Sequence, residues 1–204
     1  MKSRTGFTLS FPVVVFLSLI ILVPAVFAED RVSTAAANPE TRFWKESGVV
    51  IGYGTSEIHE GHYEPMLFIW HLAYDLRNYI PALKNHKGIL AGVCEPQVNP
   101  AFRPSSDFEF GVGVGLKYLY PVTDRLYPYI QLTVGPHYIS LQTEDQASGF
   151  IFSNTVGVGI YYFVTKNSAA MVGYRARHIS NAGTREPNDG INTHFGTIGY
   201  SFFF

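Results

Sequence analysis

Cysteine is almost absent. Cys94 stands alone in 204 residues, so no internal disulfide can hold this chain in any compartment. A surplus of one charge is lacking too. The chain has 15 Lys and Arg against 16 Asp and Glu, with no run of like charge, and this removes the basic surface that a nucleic-acid partner requires. Long apolar runs are missing beyond residue 28, and with them any candidate for a membrane-spanning helix.

The one apolar run stands at the amino terminus. Lys2 and Arg4 precede an apolar stretch from Phe11 to Val26 interrupted by Pro12, Ser18 and Pro24, and Val26-Phe27-Ala28 then meets the acidic Glu29-Asp30. A basic start, an apolar core shorter than the ~20 residues of a spanning helix and a small residue before the cut describe a secretory signal peptide over residues 1–28. No cysteine stands at the cut, so no lipoprotein anchor is expected. Residues 29–204 suit a single exported domain.

Alternation organises that domain. Phe108, Phe110, Val112, Val114, Leu116, Tyr118 and Tyr120 occupy even positions, and Glu109, Gly111, Gly113, Gly115 and Lys117 fall between them. One face is greasy and the other small or polar, which is the period of a strand. The rhythm recurs in Met66-Phe68-Trp70-Leu72-Tyr74, in Val156-Val158-Ile160-Tyr162 and in Ile198-Tyr200-Phe202-Phe204. Eight strands are predicted, over 47–56, 63–75, 86–95, 106–120, 127–142, 149–165, 169–180 and 190–204, after a short leader at 29–46. Turn chemistry separates several of them: Pro96 and Pro100, Pro121 to Asp124, Lys166-Asn167-Ser168 and Pro187-Asn188-Asp189-Gly190.

A soluble β-sandwich also alternates, but its solvent face should be charged. Here the non-greasy face is rich in Gly, Ser and Thr, and the greasy face ends in Tyr and Phe, as in the aromatic girdles of a membrane barrel. Unpaired backbone groups are too costly in hydrocarbon to leave an open edge. The expected fold is therefore all-β, an eight-stranded antiparallel transmembrane barrel of the Gram-negative outer membrane. Its interior should be filled by side chains, with Asp75, Glu109, Lys117, Arg175 and Arg177 forming a polar lattice. With both termini in the periplasm, the connections at 57–62, 96–105, 143–148 and 181–189 lie outside the cell. Those at 76–85, 121–126 and 166–168 lie in the periplasm.

Parity then picks out the chemistry. On the seventh predicted strand Arg175 and Arg177 point inward, whereas His178 and Ser180 share the lipid-facing parity at the extracellular end. Polar groups facing lipid suggest function, and a hydroxyl beside an imidazole is the pair that activates a weak nucleophile. The alternative is that both lie at headgroup depth, where water makes them inexpensive. Counting back from Phe204 gives Asn192 the same parity on the last strand, near the level of His178, where its carbonyl can orient the imidazole. Asn181 and Gly183 follow the serine, where a turn can aim donors at an oxyanion. Glu186 and Asp189 are alternative partners for the histidine. His59 and His62 lack a third ligand of evident spacing, so no metal and no cofactor is expected.

His178-Ile179-Ser180-Asn181-Ala182-Gly183, then Pro187-Asn188-Asp189-Gly190, then a closing strand ending in Phe, resembles the PagL family of lipid A 3-O-deacylases. The matching stretch is about the last thirty residues. The resemblance implies an outer-membrane serine esterase acting on lipid A in lipopolysaccharide, with Ser180 as nucleophile, His178 as general base, and Asn181 and Gly183 helping to form the oxyanion hole. Asn192 stands where the best-known members carry a glutamate. The competing expectation is a non-enzymatic small barrel, an adhesin or structural protein.

Overall fold

The computed structural model describes residues 45–84 and 86–204; the expected signal peptide and nearly all of the leader lie outside the described residues. Nine strands are present among the described residues: β1 Lys45–Ile58, β2 Gly61–Tyr63, β3 Met66–Asp75, β4 Ile89–Ala101, β5 Asp107–Leu119, β6 Leu126–Ile139, β7 Gly149–Thr165, β8 Ser168–Ser180 and β9 Ile191–Phe203. All pair antiparallel with their neighbours, and β1 also pairs with β9 from Glu46↔Phe203 to Thr55↔His194. The eight long strands therefore close a barrel. The short β2 folds back on the upper end of β1 alone, Ser56↔Tyr63 to Ile58↔Gly61, and lifts a hairpin above the rim.

The two faces of the wall follow the alternation. Phe68, Trp70, Phe110, Leu116, Ile130, Leu132, Val156, Val158, Ile198 and Phe202 are exposed on the outside, which is tolerable only against lipid. Inside, an upper apolar layer contains Tyr63, Ile139, Leu141, Ile151, Ile179 and Ile191. A larger layer nearer the periplasmic end is built around Tyr127, Tyr161, Phe163 and Phe203. Glycines on the inner face make room for these side chains: a Cβ at Gly111 would lie 2.2 Å from the His137 ring.

Polar groups bridge the two layers, as the sequence predicts, with Glu46 and Glu95 added to the predicted Glu109, Lys117, Arg175 and Arg177. Glu95 accepts from Arg175 at 2.7 and 2.9 Å and from Gln131 at 2.9 Å, and meets His71 at 2.6 Å. Lys117 donates to Glu46 (2.6 Å) and Tyr161 (2.7 Å), and Arg177 donates to Glu109 (2.9 Å). Asp75 is paired locally with Arg77 at the periplasmic end. Two inward arginines of β8 are thus tied to opposite parts of the wall, which fixes the face that its alternate residues present outside.

Removing Glu95 leaves Arg175 buried without its counter-charge, and breaking a buried pair in this way costs about 3–5 kcal/mol. Glu95→Ala is expected to shift the urea unfolding midpoint of the folded barrel sharply downward; an unchanged midpoint would mean that the lattice carries no stability.

One strand boundary differs from expectation by more than a few residues. Pro96 and Pro100 do not end the third long strand; β4 runs through both to Ala101, pairing them with Val112 and Phe108. A proline cannot donate to a ladder, and the β3–β4 pairing is indeed interrupted between Gln97 and Cys94, around Pro96, with its register unchanged on either side. The long periplasmic connection after Asp75 is taken up by 3-10 turns at Arg77–Tyr79 and Pro81–Leu83.

Candidate active site

His178 and Asn192 are cross-strand partners on β8 and β9. Both are on the outer face, since Arg177, Ile179, Ile191 and Thr193 on either side of them are buried. His178 Nδ1 lies 2.9 Å from Asn192 Oδ1. An amide oxygen only accepts, so Nδ1 carries the proton and donates it, and Nε2 of the neutral ring is left as the basic nitrogen. Neither Glu186 nor Asp189 hydrogen-bonds to the ring; both are exposed in the connection between β8 and β9.

Ser180, the last residue of β8, stands two positions further up the same face, about 7 Å along the strand. Its hydroxyl has no hydrogen-bond partner among the described residues. Phe152 is its neighbour on β7 and packs edge-on against Phe150 with centroids 5.1 Å apart. The serine therefore sits beside an aromatic surface at the outer end of the wall.

Gly190 seats the imidazole from above. Its φ is +78°, a region open to glycine, and a Cβ there would lie 2.7 Å from His178 Cε1 and 3.1 Å from Nε2. The Gly190 and Asp189 amides both donate to the Asp145 carbonyl, at 3.1 and 2.8 Å. Asp145 is in turn gripped by the β1–β2 hairpin: its carboxylate accepts from the His59 amide (2.8 Å) and meets the His59 ring nitrogen (2.8 Å). Glu60 accepts from the Glu144 amide at 2.6 Å. Three extracellular connections thus converge on the strip of backbone that faces the histidine, an arrangement not readable from local spacing because His59 and Asp145 are 86 residues apart.

The hydrogen bond to Asp145 and that residue's charge raise the His59 pKa. Partial burial works against ionised Asp145, but the His59 amide and ring outweigh it and lower its pKa. The raised histidine contributes clasp stability that is complete below the ordinary value and lost as pH rises through the raised one. The depressed carboxylate contributes above its own ordinary value and fails as pH falls through the lowered one. Amide-exchange protection at Asp189 and Gly190 is expected to hold between those limits and to decline on the alkaline side. His59→Ala should remove that decline; a wild-type protection factor independent of pH would contradict the clasp.

Asn181 is brought beside the serine but not as a free donor. Its side-chain amide donates to the carbonyls of Arg185 (2.7 Å) and Pro187 (3.4 Å), and its backbone N–H donates to Asn188 Oδ1 (2.7 Å). It braces the loop from within, being itself buried. The chain then turns through Ala182 and Gly183, with φ of 56° and 74°, and their amides have no partner among the described residues.

Comparison with known proteins bears on the fold and the family. No curated protein sequence matches the chain. The wall resembles solved structures of Neisserial surface protein A (14% identity, 78% of this chain and 97% of that one, TM-score 0.61) and of the outer membrane enzyme PagL (20% identity, 76% and 97%, TM-score 0.52). It also resembles the attachment invasion locus protein Ail of Yersinia pestis (13% identity, 79% and 99%, TM-score 0.50). At these identities the likeness bears on fold, and the fold is that of outer-membrane barrels. The model of the lipid A 3-O-deacylase (PagL) family matches residues 63–201, most of the described chain, including β7, β8 and all but the last two residues of β9. This chain, an eight-stranded barrel of the outer membrane, belongs to the lipid A 3-O-deacylase (PagL) family.

Proposed function

We propose that the protein is a serine esterase that hydrolyses the acyl ester at the 3-position of lipid A. The observation that carries this reading is the outward placement of a histidine already oriented by Asn192, with a serine on the same face at the extracellular end. Lipid A occupies the outer leaflet, so its ester can reach that face by lateral diffusion. Ser180 Oγ attacks the ester carbonyl while His178 Nε2 takes its proton. The same proton is returned to the departing sugar oxygen, and water repeats the sequence on the acyl-serine to release a fatty acid. The gap between Ser180 and His178 closes when substrate binds, as is common for catalytic hydrogen bonds in unliganded sites. Gly183 and Ala182 supply backbone donors to the oxyanion. Asn181 shapes the turn that presents them.

Acyl transfer through a serine and a histidine proceeds without a metal or organic cofactor. Expression in a Gram-negative host followed by mass spectrometry of extracted lipid A tests the reading. Loss of one 3-O-linked acyl chain is the expected result. Unchanged lipid A from cells holding the folded barrel would favour the non-enzymatic alternative.

A further inference from the structure

We propose that Asn154 is a further substrate-contacting residue of this site, its side-chain amide donating a hydrogen bond to the carbonyl oxygen of the ester. The inference rests on the esterase reading and goes one residue beyond it.

The outward face of β7 reads Phe150, Phe152, Asn154, Val156, Val158 and Ile160, all of them exposed. Asn154 is the single polar side chain in that row. Its position is not at the frayed end of the strand, because two exposed phenylalanines stand between it and the extracellular connection. An amide held outward among apolar neighbours is unfavourable unless something binds it. Among the described residues nothing does.

The register gives its location. Asn154 pairs with His178 on one side, as Asn192 pairs with His178 on the other. The imidazole therefore lies between two amides at one level of the wall. Asn192 is engaged through its oxygen with Nδ1; Asn154 is free. Ser180 pairs with Phe152, one step up, so Asn154 and Ser180 are diagonal neighbours on the outer face. Such neighbours are about 7–8 Å apart at Cα and closer at Cβ. That interval is the size of an ester group lying on the serine.

A second observation points the same way. The carbonyl oxygen becomes negative when Ser180 Oγ bonds to the carbon, and it needs donors until the C–O bond to the sugar breaks and the C=O re-forms. The side-chain donor that the sequence offers for this purpose, Asn181, has every N–H committed to the loop. Backbone amides at Ala182 and Gly183 approach from the loop side. Asn154 is the side-chain amide left to approach from β7.

The test uses purified full-length barrel in mixed micelles with lipid A, comparing wild type with Asn154→Ala and Asn154→Asp. The side chain points away from the packed interior, so both variants should fold, as their resistance to unfolding in SDS would report. The expected result is a fall in kcat of roughly 10^2- to 10^3-fold for Asn154→Ala. KM and the shape of the pH–rate profile should stay close to wild type. Asn154→Asp, with no donor and a like charge, should be at least as slow. A kcat equal to wild type, or a loss confined to KM, would overturn the assignment. If wild type itself releases no acyl chain, the esterase reading fails. If wild type is active and Asn154→Ala is as fast, only this inference falls.

Discussion

Ser180→Ala and His178→Ala each reduce acyl release by a factor on the order of 10^4 to 10^6, and the double variant is no slower than either alone. Residues that act as a unit show this non-additivity: once either is lost, the other has nothing to assist, and only the oxyanion donors and substrate binding remain. Both side chains project from the outer wall, while the packing beneath them comes from Ile179 and the Arg177–Glu109 pair, which these substitutions leave intact. The barrels should therefore fold normally, and quantified release of fatty acid from lipid A would report chemistry alone. Retention of even a tenth of the wild-type rate by Ser180→Ala would remove the serine from the mechanism.

The second large effect belongs to Asn192. Its Oδ1 holds the proton on Nδ1 and so keeps Nε2 basic. Asn192→Ala releases the ring to rotate and to exchange tautomers, and the rate should fall by roughly 10^2- to 10^4-fold. The upper end is what a wrong-tautomer substitution costs a serine protease. Asn192→Glu should retain or raise the wild-type rate, because a carboxylate at the same cross-strand position accepts the same proton and also stabilises the imidazolium. Asn192 is exposed, so the longer side chain meets no packed neighbour. A complete loss on exchange to Glu would assign the residue a different task.

Much of this site was legible in the sequence because strand parity is strict. Once Arg175 and Arg177 are inward, His178 and Ser180 must be outward, and hairpin arithmetic from Ser180 to Gly190 brings Asn192 opposite His178. The same reasoning failed where a residue type speaks ambiguously. Pro96 and Pro100 read as a turn, yet a barrel strand admits proline where its ladder is already interrupted. Glu46 falls within the predicted leader, although it is the inward partner of Lys117. Asn181 looked like a ready donor because its sequence position says nothing of the carbonyls at Arg185 and Pro187 that occupy it. Asn154 has a signal in the sequence, a lone polar residue in the otherwise greasy row from Phe150 to Ile160. The clasp from His59 through Asp145 to Gly190 left none, since its parts meet only after the barrel has closed.

The outward opening of the candidate site also changes what concentration means for this protein. In the proposed reaction a histidine on the wall meets its ester within a sheet of neighbouring molecules, so occupancy follows the mole fraction of substrate in the leaflet. Diluting vesicles into more buffer at fixed composition should leave the turnover per barrel untouched, whereas diluting the substrate with inert phospholipid should slow it. On the proposed reaction both products are amphiphiles released into that same sheet, and their departure depends on two-dimensional exchange, not on escape into water.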